Sequence, residues 1–422
     1  MTAEAAAHRL TPRRILGVCV ARVFLFASFM TVAATIPLLM REWNLGAAAA
    51  GSIVSSFTIA YAASLFGFAW TADHYGAKRM TVLSAIAAAA ASLAFGFLAR
   101  DWWTAMVLYG LVGLAQGGVY TPLIMVFSDE SPPERRGRAM GWLIASTSVG
   151  YAASLSAAGL GLLLGGWRMA FILTGVLPAV GALILIAALG PLPNRVHPRP
   201  LDSSAARELV HNRPARLLVG GYVAHSWELL GMWAWIPAYL AATFALKGGG
   251  SAAAAISGAW LSGILHLFGA VAAFTMGRMS DRSGRRPVLI TLAAAGALGS
   301  FSVGWLVHAP SFLLVPLAFA YAFACIGDSP VLSTALAETV KPGYLGAALA
   351  WRGLAGFGAG ALAPLAVGLA LDATSAADPA VSWGVGFATL GLGGALATGC
   401  ALALGKRWEN AATAAAAGRT SR

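Results

Sequence analysis

Charge is scarce in this chain. Only 10% of its 422 residues are Asp, Glu, Lys or Arg, and the acids number 16. Soluble domains carry roughly 25% charged residues, so this composition cannot clothe a water-facing surface. Cysteine is scarcer still. Cys19, Cys325 and Cys400 are the three present; they share no metal-like spacing, and each falls in an apolar run where a small filler is expected. Catalytic signatures are missing too. No glycine loop stands between strand and helix, no His and Cys cluster at metal-ligand spacing, and no nucleophile–base pair lies outside the apolar runs. An enzyme, a metal site and a cofactor are therefore not expected.

Apolar residues fill the chain instead, at 59%. Runs of about 20 residues or more predict twelve membrane spans. They lie at 15–40, 48–72, 80–99, 103–128, 138–165, 169–191, 215–245, 252–277, 287–307, 311–336, 344–371 and 381–405. The segment before the first run is polar and basic, and that run is too long for a signal-peptide core, so no cleaved leader is expected. A net charge of +12 invites a nucleic-acid partner, but its placement argues otherwise. With the N-terminus inside, the cytoplasmic segments hold 22 Lys and Arg, and the outer loops hold Arg41, Arg100, Arg168 and Lys247. This asymmetry is the positive-inside rule and puts both termini in the cytoplasm. No nucleic-acid partner is expected.

The chain repeats itself. Gly277-Arg278-Met279-Ser280-Asp281-Arg282-Ser283-Gly284-Arg285-Arg286 sits between two apolar runs, and a degenerate copy, Ala69 to Arg79, precedes it by 281 − 73 = 208 residues. A second pair, Gly137-Arg138-Ala139-Met140-Gly141-Trp142 and Gly346-Ala347-Ala348-Leu349-Ala350-Trp351, is offset by 209. The two offsets agree within one residue, so a parallel duplication is expected. The stretch from Pro191 to Pro214 is the long polar segment between runs, with three prolines between its ends and a short helical piece expected at Ser203–Leu209. It reads as a cytoplasmic linker. The predicted organisation is residues 1-190 as an N-terminal six-helix bundle, 191-214 as linker, and 215-422 as a C-terminal six-helix bundle with a short tail.

These motifs resemble the major facilitator superfamily of secondary transporters, whose loop reads Gly-x-x-x-Asp-Arg-x-Gly-Arg-Arg. Gly277, Asp281, Arg282, Gly284, Arg285 and Arg286 match every defining position; the first copy keeps Asp73, Gly76, Lys78 and Arg79 but has Ala69, His74 and Ala77 elsewhere. Trp167-Arg168-Met169-Ala170-Phe171 resembles the family's entry to the sixth span. Subgroup signatures are weaker: Gly113 replaces an arginine in span four, and Tyr151 follows Gly150 where drug antiporters have proline. The resemblance implies an all-α membrane protein, with twelve transmembrane helices in two pseudo-symmetric six-helix bundles that rock about a central site. It also implies that Asp281 docks on a neighbouring helix N-terminus and pairs with arginines as a gate. A plain basic loop that anchors topology is the alternative.

Ionisable residues inside the spans are few: Arg22, His225, Glu228, His266, Asp328 and Arg352. A charge at mid-bilayer costs about 2.5–3.5 kcal/mol on insertion scales, so each needs a partner or a wet cavity. Glu228 lies about 18 Å into span seven at 1.5 Å per residue, with His225 one turn earlier and Met232 and Trp235 beyond. This strip suits a cavity wall, and a proton-coupling set of Glu228, His225, His266 and Asp328 is expected, with His266 as partner of Glu228. A Glu–His pair that only locks helices is the alternative. Asp328 is expected to pair with Arg352, leaving Arg22 for an anionic solute, since a guanidinium fork fits a carboxylate or phosphate. Snorkelling of both arginines to the interface is the competing reading. Tyr61, Gln116, Tyr120 and Tyr151, with Ser56 and Thr147, fill out a moderately polar pocket beside Arg22, Arg352 and Trp235.

The expected function is proton-coupled transport of a small organic solute, an organic anion or metabolite, by rocker-switch alternating access. A proton-antiport exporter of drugs or metabolites is the second reading, and a non-transporting sensor or assembly protein on the same scaffold is the third. The expected setting is the bacterial inner membrane, as a monomer, with solute, protons and lipid as partners.

Overall fold

The computed structural model describes residues 10–131, 133–196, 210–341, 344–405 and 408. Among them every regular element is a helix, as expected where lipid offers backbone groups no partner outside their own segment. Eleven described helices are long and apolar enough to cross a membrane. One of them, Arg138–Leu189, has 52 residues, about 78 Å if straight. It is not straight. Gly166 holds the left-handed conformation at φ 71° and Gly165 is extended, so two helical arms meet between the expected spans 138–165 and 169–191.

Side-chain exposure sorts the helix faces. Leu183, Leu298 and Leu396 are 69%, 67% and 66% exposed, whereas Arg22 and Glu228 are 0% and 3% exposed. Large apolar side chains stand on the exposed helix faces while these two charges within the spans are buried, as a lipid setting demands.

The chain divides into two compact units. Unit 1 comprises Met1–Pro200 with Ala234–Leu267, and unit 2 comprises Leu201–Trp233 with Phe268–Arg422. This differs from the division at 191–214. The helices Arg213–Leu246 and Ser251–Ser283 each begin in one unit and end in the other. Their 234–267 portion is fixed inside unit 1 by contacts that hydropathy does not show. Arg41 Nη1 donates to Ser251 Oγ at 2.9 Å, and Trp260 Nε1 donates to the Ser156 carbonyl at 3.3 Å. Pro237 lies inside the first helix just past the change of unit; it cannot donate to the carbonyl of Trp233, which eases a bend there.

Within unit 1 the first span is broken. Pro12–Leu25 gives way to a 3₁₀ turn at Phe26–Ser28 before Thr31–Glu42 resumes. The groups released by the break find partners on other helices. Ser154 Oγ donates to the Ala27 carbonyl (2.6 Å) and accepts from the Met30 amide (2.9 Å), while Tyr109 donates to the Ser28 carbonyl (3.1 Å). Within unit 2 the helices pack through a core that includes Leu218, Leu289, Leu332 and Leu336. Of the linker, residues 197–209, including the helical piece expected at Ser203–Leu209, lie outside the described residues.

Candidate functional site

Arg22 projects from the Pro12–Leu25 helix into the interior of unit 1 and is fully buried. Its Nη1 donates to the Leu143 carbonyl at 2.7 Å. The guanidinium lies 5.3 Å from the Phe26 ring centre and 5.2 Å from that of Tyr120. Cation–π contacts of this kind contribute about 0.5–2 kcal/mol each. Nε and Nη2 have no hydrogen-bond partner, and no described acid pairs with the group. An orphaned buried donor costs about 1–3 kcal/mol, more when charged. Arg22 does not snorkel. It is a buried cation with two donors to spare.

Aromatic rings surround this cation. Phe29 lies 4.5 Å from Tyr151 and 5.6 Å from Tyr61, and Phe57 stacks on Tyr61 at 6.1 Å. Gln116, expected among the solute contacts, is differently engaged. Its Nε2 donates to the Leu25 carbonyl (3.0 Å) and Ser28 Oγ (3.1 Å), repairing the helix break, and only Oε1 is left without a partner. Ser56 bonds the carbonyls of Ile53 and Met106 and so joins two helices. Thr147, one turn beyond Leu143, keeps a buried, unpartnered Oγ1. Trp235 is buried, and in contact terms it falls in unit 1.

Unit 2 buries the opposite charge. Ser300 Oγ donates to Glu228 Oε1 at 2.7 Å and stands 2.7 Å from the Tyr321 hydroxyl. The carboxyl is turned toward the helices Arg285–Val303 and Pro379–Ala403. At Gly394 a Cβ would come within 2.6 Å of Glu228 Oε2, so the close approach requires glycine there. The expected open strip of acid, imidazole and indole is therefore corrected: Glu228 points into the packed interior of its unit. Residues three apart on a helix differ by about 60° in direction, and that rotation separates Glu228 from His225.

His225 faces another neighbour. Its Nδ1 lies 2.8 Å from Asp328 Oδ1, with 1% and 5% of the two side chains exposed. The pair meets at ion-pair distance but without the in-plane alignment of a ring N–H hydrogen bond, so both atoms remain unsatisfied in that sense. A protonated ring would give a charge contact, and a neutral one would leave the aspartate uncompensated. The expected Asp328–Arg352 pair is replaced by this one. Arg352 Nη1 donates instead to Ser333 Oγ at 2.6 Å, with its guanidinium 4.0 Å from the Tyr222 ring centre; that stack holds it away from the aspartate. His266, expected beside Glu228, belongs to unit 1 and lies edge-on to Tyr151 at 5.8 Å.

The loop motif is built around Arg285. Nη1 donates to Asp281 Oδ1 (2.5 Å) and Ser280 Oγ (2.6 Å), while Nε (3.2 Å) and Nη2 (2.8 Å) donate to the Glu338 carboxylate. Arg286 Nη2 reaches the Leu402 carbonyl at 3.2 Å. Asp281 keeps 63% of its side chain exposed, and its described partner is Arg285, not a helix N-terminus. The expected docking is corrected on that point: a side chain so open to water is not seated on a neighbouring helix. Arg282 is exposed, and Gly277 sits within the helix that precedes the turn. Gly284 takes φ 87° at the turn itself, as Gly76 takes 93° in the first copy, a conformation open to glycine but strained for L side chains.

Sequence reading missed Glu338, Ser300 and Tyr321. For Glu338 a signal existed, because it lies 338 − 130 = 208 residues after Glu130, the offset of the loop motif. For Ser300 and Tyr321 there was none, since span hydroxyls mostly bond their own helix.

Comparison with known proteins places these features in context. A family model described as the Major Facilitator Superfamily matches residues 18–272. A protein of Cupriavidus pinatubonensis named as a probable 4-methylmuconolactone transporter is 25% identical over 328 residues, covering 72% of this chain and 70% of that one. A probable sulfoacetate transporter of Cupriavidus necator is 27% identical over 166 residues, 39% of this chain and 38% of its own length. The chain spans about half, 48%, of the length of two Escherichia coli transporters that it also matches. The crystal structure of a D-xylose-proton symporter superposes with a TM-score of 0.72 at 16% identity, covering 92% of this chain and 96% of that one. At that identity the likeness shows the fold alone.

Proposed function

The chain belongs to the major facilitator superfamily, and we propose that it carries a small organic anion together with protons by alternating access. It is a multi-pass membrane transporter and not an enzyme. In this reading the two arms of Arg138–Leu189 are separate spans, giving twelve in two six-helix halves, with both termini and the 191–214 linker in the cytoplasm. The positive-inside asymmetry supports that orientation. We place the protein as a monomer in a bacterial inner membrane.

One observation carries the anion reading: Arg22 is fully buried, has no acidic partner, and keeps Nε and Nη2 free. A carboxylate, sulfonate or phosphate would satisfy both donors with two charge-assisted bonds, the geometry for which a guanidinium is pre-organised. The relative named for sulfoacetate supports the same class, because that solute is anionic at neutral pH. Protons enter through Glu228 and the His225–Asp328 pair. An anion entering against a negative interior needs a co-transported proton to offset its charge, and a carboxyl that alternates between hydroxyl partners and water can take that proton on one side and release it on the other.

The test is reconstitution in liposomes under an imposed pH gradient, acid outside, with labelled sulfoacetate, labelled glucuronate and labelled tetraphenylphosphonium compared. Accumulation of an acid that collapses with a protonophore is expected. Expulsion of the cation coupled to proton entry, with both acids ignored, would establish the exporter reading instead.

A further inference from the structure

Glu130 and Glu338 end corresponding helices, Thr121–Glu130 in unit 1 and Ser311–Thr339 in unit 2. In unit 2 the loop motif holds its own acid, through Arg285 to Glu338. At the same offset from Arg285, 285 − 208 = 77, unit 1 has Ala77, which can hold nothing. Yet Glu130 is neither abandoned nor exposed. Only 3% of its side chain meets solvent, and Arg195 Nε donates to its Oε1. That bond holds the Arg195 guanidinium above its ordinary pKa.

Arg195 lies in the linker, six residues beyond the end of the Pro133–Leu189 helix. Its neighbour Asn194 covers the loop glycine of unit 1: a Cβ on Gly76 would lie 2.2 Å from Asn194 side-chain atoms. Asn194 Nδ2 donates to the Tyr75 carbonyl (2.9 Å) and Oδ1 accepts from the Arg79 amide (3.1 Å). Lys78 Nζ donates to the Gly190 carbonyl (2.7 Å) and to that of Leu192. The start of the linker is thus bonded to the loop ends of three helices of unit 1.

We propose that Asn194 and Arg195 complete the degenerate loop motif of unit 1, with Arg195 as the positioning residue that replaces the arginine missing at Ala77. The inference rests on the transport reading for its consequence. Pinning residues 191–195 makes the linker's root part of one rigid body with the helix ends and removes up to roughly 17 Å of free reach between the halves. Arg195 touches no solute, so its loss slows the conformational cycle without weakening solute binding.

Two arms test this in the full chain. In liposomes with labelled sulfoacetate, R195A and E130Q are each expected to lower the maximal rate about three- to tenfold at unchanged KM. The double variant falls no further, because both remove one interaction. Adding A77R to R195A restores the rate to within about twofold by supplying the arginine that unit 2 already has. Wild-type flux in R195A, additive losses in the double variant, or no recovery with A77R would overturn the proposal. The second arm needs no solute and so separates failure here from failure of the transport reading. Spin labels at Leu83 and Val196, both exposed, are placed in a chain whose three cysteines are alanine. A narrow distance distribution that broadens in R195A supports the latch; an unchanged distribution refutes it.

Discussion

The two units share a repeat and differ in what they bury. Unit 1 hides a guanidinium among aromatic rings, and no described acid pairs with it. Unit 2 hides two carboxyls, one in a hydroxyl chain and one beside an imidazole. At the offset of the loop motif, Arg22 corresponds to Leu230, Glu228 to Val20 and Asp328 to Tyr120. The loop motif recurs at this offset, but these three charges inside the spans do not. That asymmetry matches a division of labour in which one unit receives the anion and the other handles the proton. Buried cation and buried acids then need not neutralise each other inside one bundle, where a tight pair would be structural and inert to solute.

The sharpest break of this comparison is at Arg22. Arg22→Met should reduce anion uptake at least about 100-fold, since two charge-assisted bonds of roughly 1.5–3 kcal/mol each are lost. Its melting midpoint should hold or rise, because an apolar side chain no longer buries an unsatisfied charge. A clear fall in midpoint with uptake intact would make Arg22 a structural residue and erase the division. Next in size is Glu228→Gln. Gradient-driven accumulation should disappear while exchange at equal pH continues, because the amide fills the same space but carries no proton. Accumulation at the wild-type level would return Glu228 to a packing role among Ser300, Tyr321 and Gly394.

How far the sequence foretold this molecule follows the same line. The all-helical membrane character and the burial of Arg22, His225, Glu228, His266 and Asp328 were legible because each follows from composition along one dimension: hydropathy and the cost of charge in lipid. The partners were not. Glu228 with His266, and Asp328 with Arg352, were reasonable pairings by depth, but depth leaves rotation about the helix axis free. Rotation sends Glu228 to Ser300 and Asp328 to His225. The linker contact was hidden for another reason. Arg195 reads as one more positive-inside residue until Ala77 and Glu130 are set against Arg285 and Glu338, and only the structure shows that its guanidinium reaches Glu130. The division of the Arg213–Leu246 helix between units was equally invisible, because it is decided by tertiary contacts of the 234–267 portion.

A smaller effect sharpens the view of unit 2. Gly394→Ala should destabilise by about 1–3 kcal/mol through overpacking, since the added Cβ would meet Glu228 Oε2 at 2.6 Å and the Ala297 backbone at 2.8 Å. The equivalent position in unit 1 is Ile186, which has no carboxyl to accommodate, so Ile186→Ala should lose only the limited packing of an exposed side chain. Thermal unfolding in detergent distinguishes them. An innocuous Gly394→Ala would mean that the Glu228 carboxyl has room to move without help from the glycine.

The smallest expected effect lies outside the spans, at Asp378. Its carboxylate accepts from the Ala380 amide at 2.7 Å and stands 3.1 Å from His308 Nε2, and these contacts hold its pKa below the ordinary carboxylate value. A depressed pKa in the folded state contributes stability that is present above the unfolded value and lost as pH falls through the folded one. Asp378→Asn keeps the helix cap but removes the charge. The wild type should therefore melt slightly higher than the variant near neutral pH, and the gap should close as the buffer becomes more acidic than the usual carboxylate range. Because the side chain is open to water, the difference should also shrink with added salt. A gap that widens on acidification would show that the amide and imidazole contacts do not favour the ionised form.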